Sequence, residues 1–211
     1  MNTGFLSSSR MRNAALAAVG VSALALAVAA LGQQAQEPAA PLQIAKLSSR
    51  GKLQKPPDLE SWVFLGTSLG MGYNPGSFNA ARPGQFQVVL MEPNAYRHFV
   101  EHGSYAQGSM FLLSFYDTDK QKRSINQNGF TQADLTNYEI HVIDPAKEGH
   151  AFYVFDPDDK EGNPLPPGNA CVRCHVDHGA FQGTFAQFYP TLRPMIPKEA
   201  LERAARDHDI R

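Results

Sequence analysis

The chain has 211 residues, 43% of them hydrophobic, and carries 19 Lys and Arg against 20 Asp and Glu. That length suffices for one domain with a real core. A near-neutral balance with no basic stripe excludes a phosphate-backbone partner, so no nucleic acid is expected.

Arg10 and Arg12 precede a charge-free run rich in Ala, Leu and Val, from Ala14 to Leu31, which ends in small residues at Ala30-Leu31-Gly32. This reads as an export signal over 1–32, cut near Gly32 or at Ala35. A retained anchor is the competing reading, because a run of ~18 apolar residues comes close to spanning a bilayer. Without Arg10 and Arg12 the balance becomes 17 basic against 20 acidic side chains. Residues 33–59, rich in Gln, Ala, Pro, Lys and Ser, read as a flexible tether, which leaves 60–211 as the domain.

From Trp62 the texture changes. Trp62 to Thr67 is rich in aromatic and β-branched residues and predicts a strand, followed by a Gly/Asn/Pro loop through Pro83. Phe86 to Met91 predicts a second strand. Pro93 opens a short helix, Asn94 to His102, which Gly103 closes. Gly108 to Tyr116 is a nearly continuous apolar strand, as expected where both faces are covered. Tyr138 to Ile143 and Ala151 to Phe155 are two further strands. Asp156 to Asn169, rich in Pro, Gly and acids, does not follow a calcium-loop spacing and reads as a solvated loop. A Phe/Gln-rich stretch, Thr184 to Tyr189, stops at Pro190, and a last helix starts at Pro197.

Between the loop and that stretch lies Cys171-Val172-Arg173-Cys174-His175, which holds the chain's only two cysteines. Cys-x-x-Cys-His is the attachment signature of c-type haem. Two thiols on one side of a helical turn can add to the two vinyl groups, and the next residue, His175, supplies the axial iron ligand. One covalently attached haem c is therefore expected. A structural disulfide, a thioredoxin-like pair and half a zinc site were weighed against it. Zinc lacks a second cysteine pair, and no early βαβ unit supports a thioredoxin pair. An exported location would permit a Cys171–Cys174 disulfide, at most as a transient state before haem attachment.

Strands first and helices around the motif late in the chain argue against small helical cytochromes c and four-helix cytochromes c′. The fold class this order supports is α+β, with an antiparallel sheet packed over a covalently bound haem and short helices, including a C-terminal haem-motif helix.

The assembled pieces resemble the cytochrome P-460 family, which includes the β-sheet cytochromes c′-beta. The matching blocks are Trp62-Val63-Phe64-Leu65-Gly66-Thr67, Pro93-Asn94-Ala95-Tyr96 with Gly103 and Gly108, Ala151-Phe152-Tyr153-Val154-Phe155 and Cys171-Val172-Arg173-Cys174-His175. The last and most specific is Thr184-Phe185-Ala186-Gln187-Phe188-Tyr189-Pro190-Thr191-Leu192-Arg193. The resemblance implies a homodimeric, periplasmic, monohaem protein with five-coordinate iron and a periplasmic redox partner. It also implies one of two activities, hydroxylamine oxidation or nitric oxide binding.

The family's enzymatic branch cross-links a lysine to the haem, and Leu113 stands at that position. The strand from Ser109 to Tyr116 contains no lysine, and the first is Lys120. Alternation puts Phe111 and Leu113 on one strand face and Met110 and Leu112 on the other. If the face that the family turns to the haem is the former, Phe111 and Leu113 line the distal side, and the resemblance to the cytochromes c′-beta implies an apolar, Phe-capped pocket. The family's distal glutamate, its proton acceptor, falls at Glu139. Alternation makes Tyr138, Ile140 and Val142 the apolar face and so turns Glu139 and His141 toward water, whereas the resemblance turns Glu139 into the pocket.

Other candidates carry weaker arguments. Met71, Met91, Met110 and Met195 are each a conceivable sixth ligand, which would make a plain electron carrier. His178 reads as a surface or propionate neighbour. Arg173 and Arg193 suit haem propionates or water equally, and Phe185 and Tyr189 are expected beneath the haem. The preferred reading is a small-ligand binder, with nitric oxide as ligand; hydroxylamine oxidation is the runner-up.

Overall fold

The structure is a computed structural model and describes residues 42, 45–72, 81–120, 129–144, 147 and 149–207. The export signal over 1–32, with its cleavage or anchor alternatives, lies outside the described residues, as does the first part of the tether.

Seven strands form one antiparallel sheet: β1 (Leu53–Gln54), β2 (Val63–Leu69), β3 (Phe86–Met91), β4 (Met110–Lys120), β5 (Phe130–Asp144), β6 (Gly149–Phe155) and β7 (Glu161–Pro164). Their order across the sheet is β1-β7-β6-β5-β4-β3-β2. Among the described residues three α-helices join the sheet: α1 (Pro93–His102), α2 (Ala170–His178) and α3 (Lys198–Asp207). The domain is α+β.

Helix α1 shows how sequence punctuation sets a boundary. Glu92 caps it by accepting a hydrogen bond from the Ala95 N–H at 2.7 Å, and Pro93 sits where no N–H is needed. Gly103 ends it in the left-handed region at φ 66, where only glycine avoids a Cβ clash.

Two sequence expectations need correction. Residues 47–59 do not behave as a tether. Leu53 is fully buried, and β1 pairs with β7 through Leu53↔Gly162 and Gln54↔Glu161. The loop read over 156–169 contains β7, whose Gly162 lies against the Phe155 ring so closely that any Cβ would collide with it. A chain edge and a glycine made room for each other where composition suggested only solvent.

The sheet buries both faces differently. One carries Met110, Leu112, Tyr138, Ile140, Val142, Ala151, Tyr153 and Phe155, covered by Leu53 and Trp62. The other meets α1 and the C-terminal segment through Leu65, Met91, Phe99, Tyr105, Phe111, Leu192 and Ile196. Burying large apolar side chains stabilises by ~1.5–3 kcal/mol each, so this second cluster anchors the segment carrying the Cys-x-x-Cys-His motif against the sheet.

Candidate haem site

Helix α2 begins on Asn169, whose Oδ1 accepts hydrogen bonds from the N–H groups of Cys171 (2.8 Å) and Val172 (3.2 Å). These donors have no partner in an earlier helical turn, so the cap fixes the first turn of the motif. Cys171, Cys174, His175 and His178 then share one helix face. All four line a cavity of about 340 Å³, within the ~300–1,000 Å³ usual for small-molecule and cofactor sites.

His175 places its Nδ1 2.8 Å from the Gly183 carbonyl oxygen. A carbonyl can only accept, so Nδ1 carries the proton and Nε2 keeps its lone pair for a metal. Burial lowers the imidazole pKa to about 4, which leaves the neutral, ligating form dominant at neutral pH. Three rings wall it in: Phe185 at 4.6 Å, His141 at 4.8 Å and Phe152 at 4.9 Å between centroids.

His141 is itself buried and stacked between Phe111 (5.6 Å) and Phe152 (4.5 Å). Its Nε2 lies 2.8 Å from His150 Nδ1. Burial lowers the pKa of both rings, so the pair is neutral and shares one N–H. His150 in turn leans on Gly183, where φ is +66 and a built Cβ would overlap the His150 ring. The acceptor for His175 is thus held by a buried histidine behind it.

Cross-strand register arranges the cavity wall in rows. Phe111, His141 and Phe152 form one row, which Met91 continues into the core beyond the cavity, and Val89, Leu113 and Glu139 form the next. Ser68 and Gln87 begin a third. Rows two residues apart along a strand are separated by about 7 Å. The first row touches His175, so Phe111 belongs to the His175 side of the cavity. Leu113 and Glu139 stand one row beyond. Both face the cavity, and burial raises the pKa of the Glu139 carboxyl.

The other candidates separate clearly. Met110 lies in the opposite core, Met91 is fully buried in the second cluster, and Met195 packs against that cluster. Of the four methionines only Met71 lines the cavity. Neither Arg173 nor Arg193 does, which removes them as cavity cations; Arg173 donates to the Gly168 carbonyl at 2.6 Å. Phe185 and Tyr189 line it, and exposed His178 stands at its rim.

Sequence reasoning missed His150, Gly183, Ser68 and Gln87. Gln87 left a signal, since alternation puts it on one face with Val89 and Met91, a polar residue in an apolar series.

The donor set fits a covalent haem. Both thiols are free and face the cavity. Burial raises the pKa of both, whereas redox-active Cys-x-x-Cys pairs carry a depressed thiol. Among the described residues no three His, Cys, Asp or Glu side chains are arranged to hold a bare metal ion, which leaves the zinc reading without ligands. Two thiols, a neutral imidazole with its Nε2 free and an apolar cavity define a haem-binding domain on an antiparallel sheet. The family described as Cytochrome P460 matches residues 56–186, more than half of the chain, and the chain belongs to it. No curated protein matches the chain at significant similarity.

Proposed function

We propose that the protein is a periplasmic, homodimeric monohaem cytochrome c whose five-coordinate iron binds a small nitrogen oxide, nitric oxide above all. The observation that carries the reading is the contrast between the two sides of the cavity. The His175 side is packed with rings, whereas the next row offers Leu113 where the family's enzymatic branch has its cross-linking lysine.

Cys171 and Cys174 would hold a haem and His175 would bind its iron, and the group would supply an iron able to take one small ligand. The chain's own residues do the rest. His175, fixed by Gly183, binds the iron and cannot rotate among Phe185, His141 and Phe152. Leu113 and Val89 limit water near the ligand position, and burial there favours the neutral form of the Glu139 carboxyl.

One observation favours a second reading, hydroxylamine oxidation. That reaction must release protons, and Glu139 is a cavity carboxyl with a raised pKa, the property expected of a general acid–base group. The third reading, a plain electron carrier, needs Met71 to bind the iron, since it alone of the four methionines lines the cavity.

Spectral titration of the reduced protein with nitric oxide, beside steady-state hydroxylamine consumption with an artificial acceptor, separates the readings. Stoichiometric nitric oxide binding with negligible turnover is expected. Robust turnover that collapses in Glu139→Gln would replace binding with catalysis. A six-coordinate ferrous spectrum lost in Met71→Ala would make the protein a carrier.

A further inference from the structure

The cavity beyond Leu113 is not apolar, and its polarity is organised. Gln87 lines it from β3, directly across from Ser68 on β2. The Gln87 Nε2 donates to the Met71 carbonyl oxygen at 3.1 Å, and the Ser68 hydroxyl donates to Gln87 Oε1 at 2.8 Å. A carbonyl only accepts, so the atom facing Met71 must be the amide nitrogen, and this fixes which way the amide points. The nitrogen has two N–H groups. One is spent on Met71, and the second has no partner among the described residues.

Gln87 stands one row beyond Leu113 and Glu139, on the side away from the His175 wall. A preset amide loses little freedom when it meets a ligand, which is what turns a hydrogen bond into selectivity. We infer that Gln87 is a specificity-determining donor, clamped by Ser68 and the Met71 carbonyl, that favours iron ligands carrying a hydrogen-bond acceptor over apolar diatomics. The inference rests on the open-face reading above and narrows its ligand class to anions and to nitrogen oxides that carry negative charge when bound.

The test uses haem-loaded protein, with fluoride as the probe for the ferric state and carbon monoxide for the ferrous state. Gln87→Leu removes the amide at similar volume, and Ser68→Ala leaves the amide but frees its orientation. Loss of a donor to a charged ligand should weaken fluoride binding by about 10- to 100-fold in Gln87→Leu. Ser68→Ala should lose less. Carbon monoxide affinity should stay within about twofold, while its infrared C–O stretch shifts upward as the donor is lost.

Fluoride affinity and C–O stretch both unchanged in Gln87→Leu would overturn the inference while leaving the open-face reading intact. If Gln87→Leu fails to load haem, Ser68→Ala decides: weakened fluoride binding supports the clamp, and unchanged binding refutes it. A wild type that binds neither probe would sink the open-face reading itself, an outcome distinct from either of these.

Discussion

Gly183 and Gly103 share a left-handed φ of +66, but a side chain would meet different surroundings at each. At Gly103 nothing lies within 4 Å, whereas at Gly183 a Cβ would overlap the His150 ring. Gly103→Ala therefore costs left-handed strain alone, ~1–2 kcal/mol. Gly183→Ala costs that strain and also forces His150 to move. His150 is only 7% exposed and holds His141 through a 2.8 Å hydrogen bond. Displacing it strands a buried imidazole nitrogen, a further ~1–3 kcal/mol. The sum is ~2–5 kcal/mol, or roughly 4–20 °C in Tm for a domain of this size, against roughly 2–8 °C for Gly103→Ala. Thermal unfolding of the haem-loaded variants by circular dichroism measures both. The Fe–His stretch of the reduced protein should shift in Gly183→Ala alone, since only there does the acceptor for His175 move. In a His150→Ala background the collision is gone, and Gly183→Ala should then cost only the strain. Equal losses at the two glycines, or the same cost in both backgrounds, would refute the role given to His150.

Three other expectations follow from the site. Protein made in a cell that matures cytochromes c should gain the mass of one haem, and Cys171→Ser with Cys174→Ser should abolish the haem-stained band on a denaturing gel. With Leu113 at the lysine position, the reduced spectrum should be that of an ordinary haem c, and peptide mapping should find no haem–lysine bond. Burial raises the Glu139 pKa, so the fold favours the neutral acid. Its contribution to stability is complete below the unfolded Glu value of about 4.3 and is lost as pH rises through the raised folded value. Denaturant midpoints for wild type and Glu139→Gln should therefore diverge as pH rises above the unfolded Glu value of about 4.3, with the wild type losing ground.

Regular elements with a one-sided apolar pattern were legible in the chain. Phe86 to Met91 is a strand with the expected bounds, and the punctuation of Pro93 and Gly103 sets α1. The motif helix was legible for the same reason, since thiol and imidazole spacing is local chemistry. The polar half of β5, from Phe130 to Asn137, was not, because its side chains are largely exposed and carry no alternation to read. β7 hid behind Gly162 and Pro164 and is held between β6 and β1, while β1 is only two residues long and exists through its pairing with β7. Within the site, faces were readable but depth was not. Alternation put Phe111 and Leu113 on one face, yet only register with His141 shows that they stand on different levels. The His141–His150 contact runs diagonally across the β5–β6 hairpin, so it depends on register rather than on the pattern of either strand.

The order of pairing bears on how the domain assembles in time. From β2 to β7 every strand pairs with its sequence neighbour, and only the β1–β7 contact joins distant parts of the sheet. Closing short segments one after another costs little loop entropy, so this meander can zip up hairpin by hairpin. The Cys-x-x-Cys-His helix follows the last strand in the chain. Most of the cavity wall therefore forms from sequence upstream of Cys171 and Cys174. A tail that docks after the sheet is built would leave its cysteines accessible for longest, and docking would carry His175 against His141 and Phe152 on the sheet, with Phe185 arriving on the same tail.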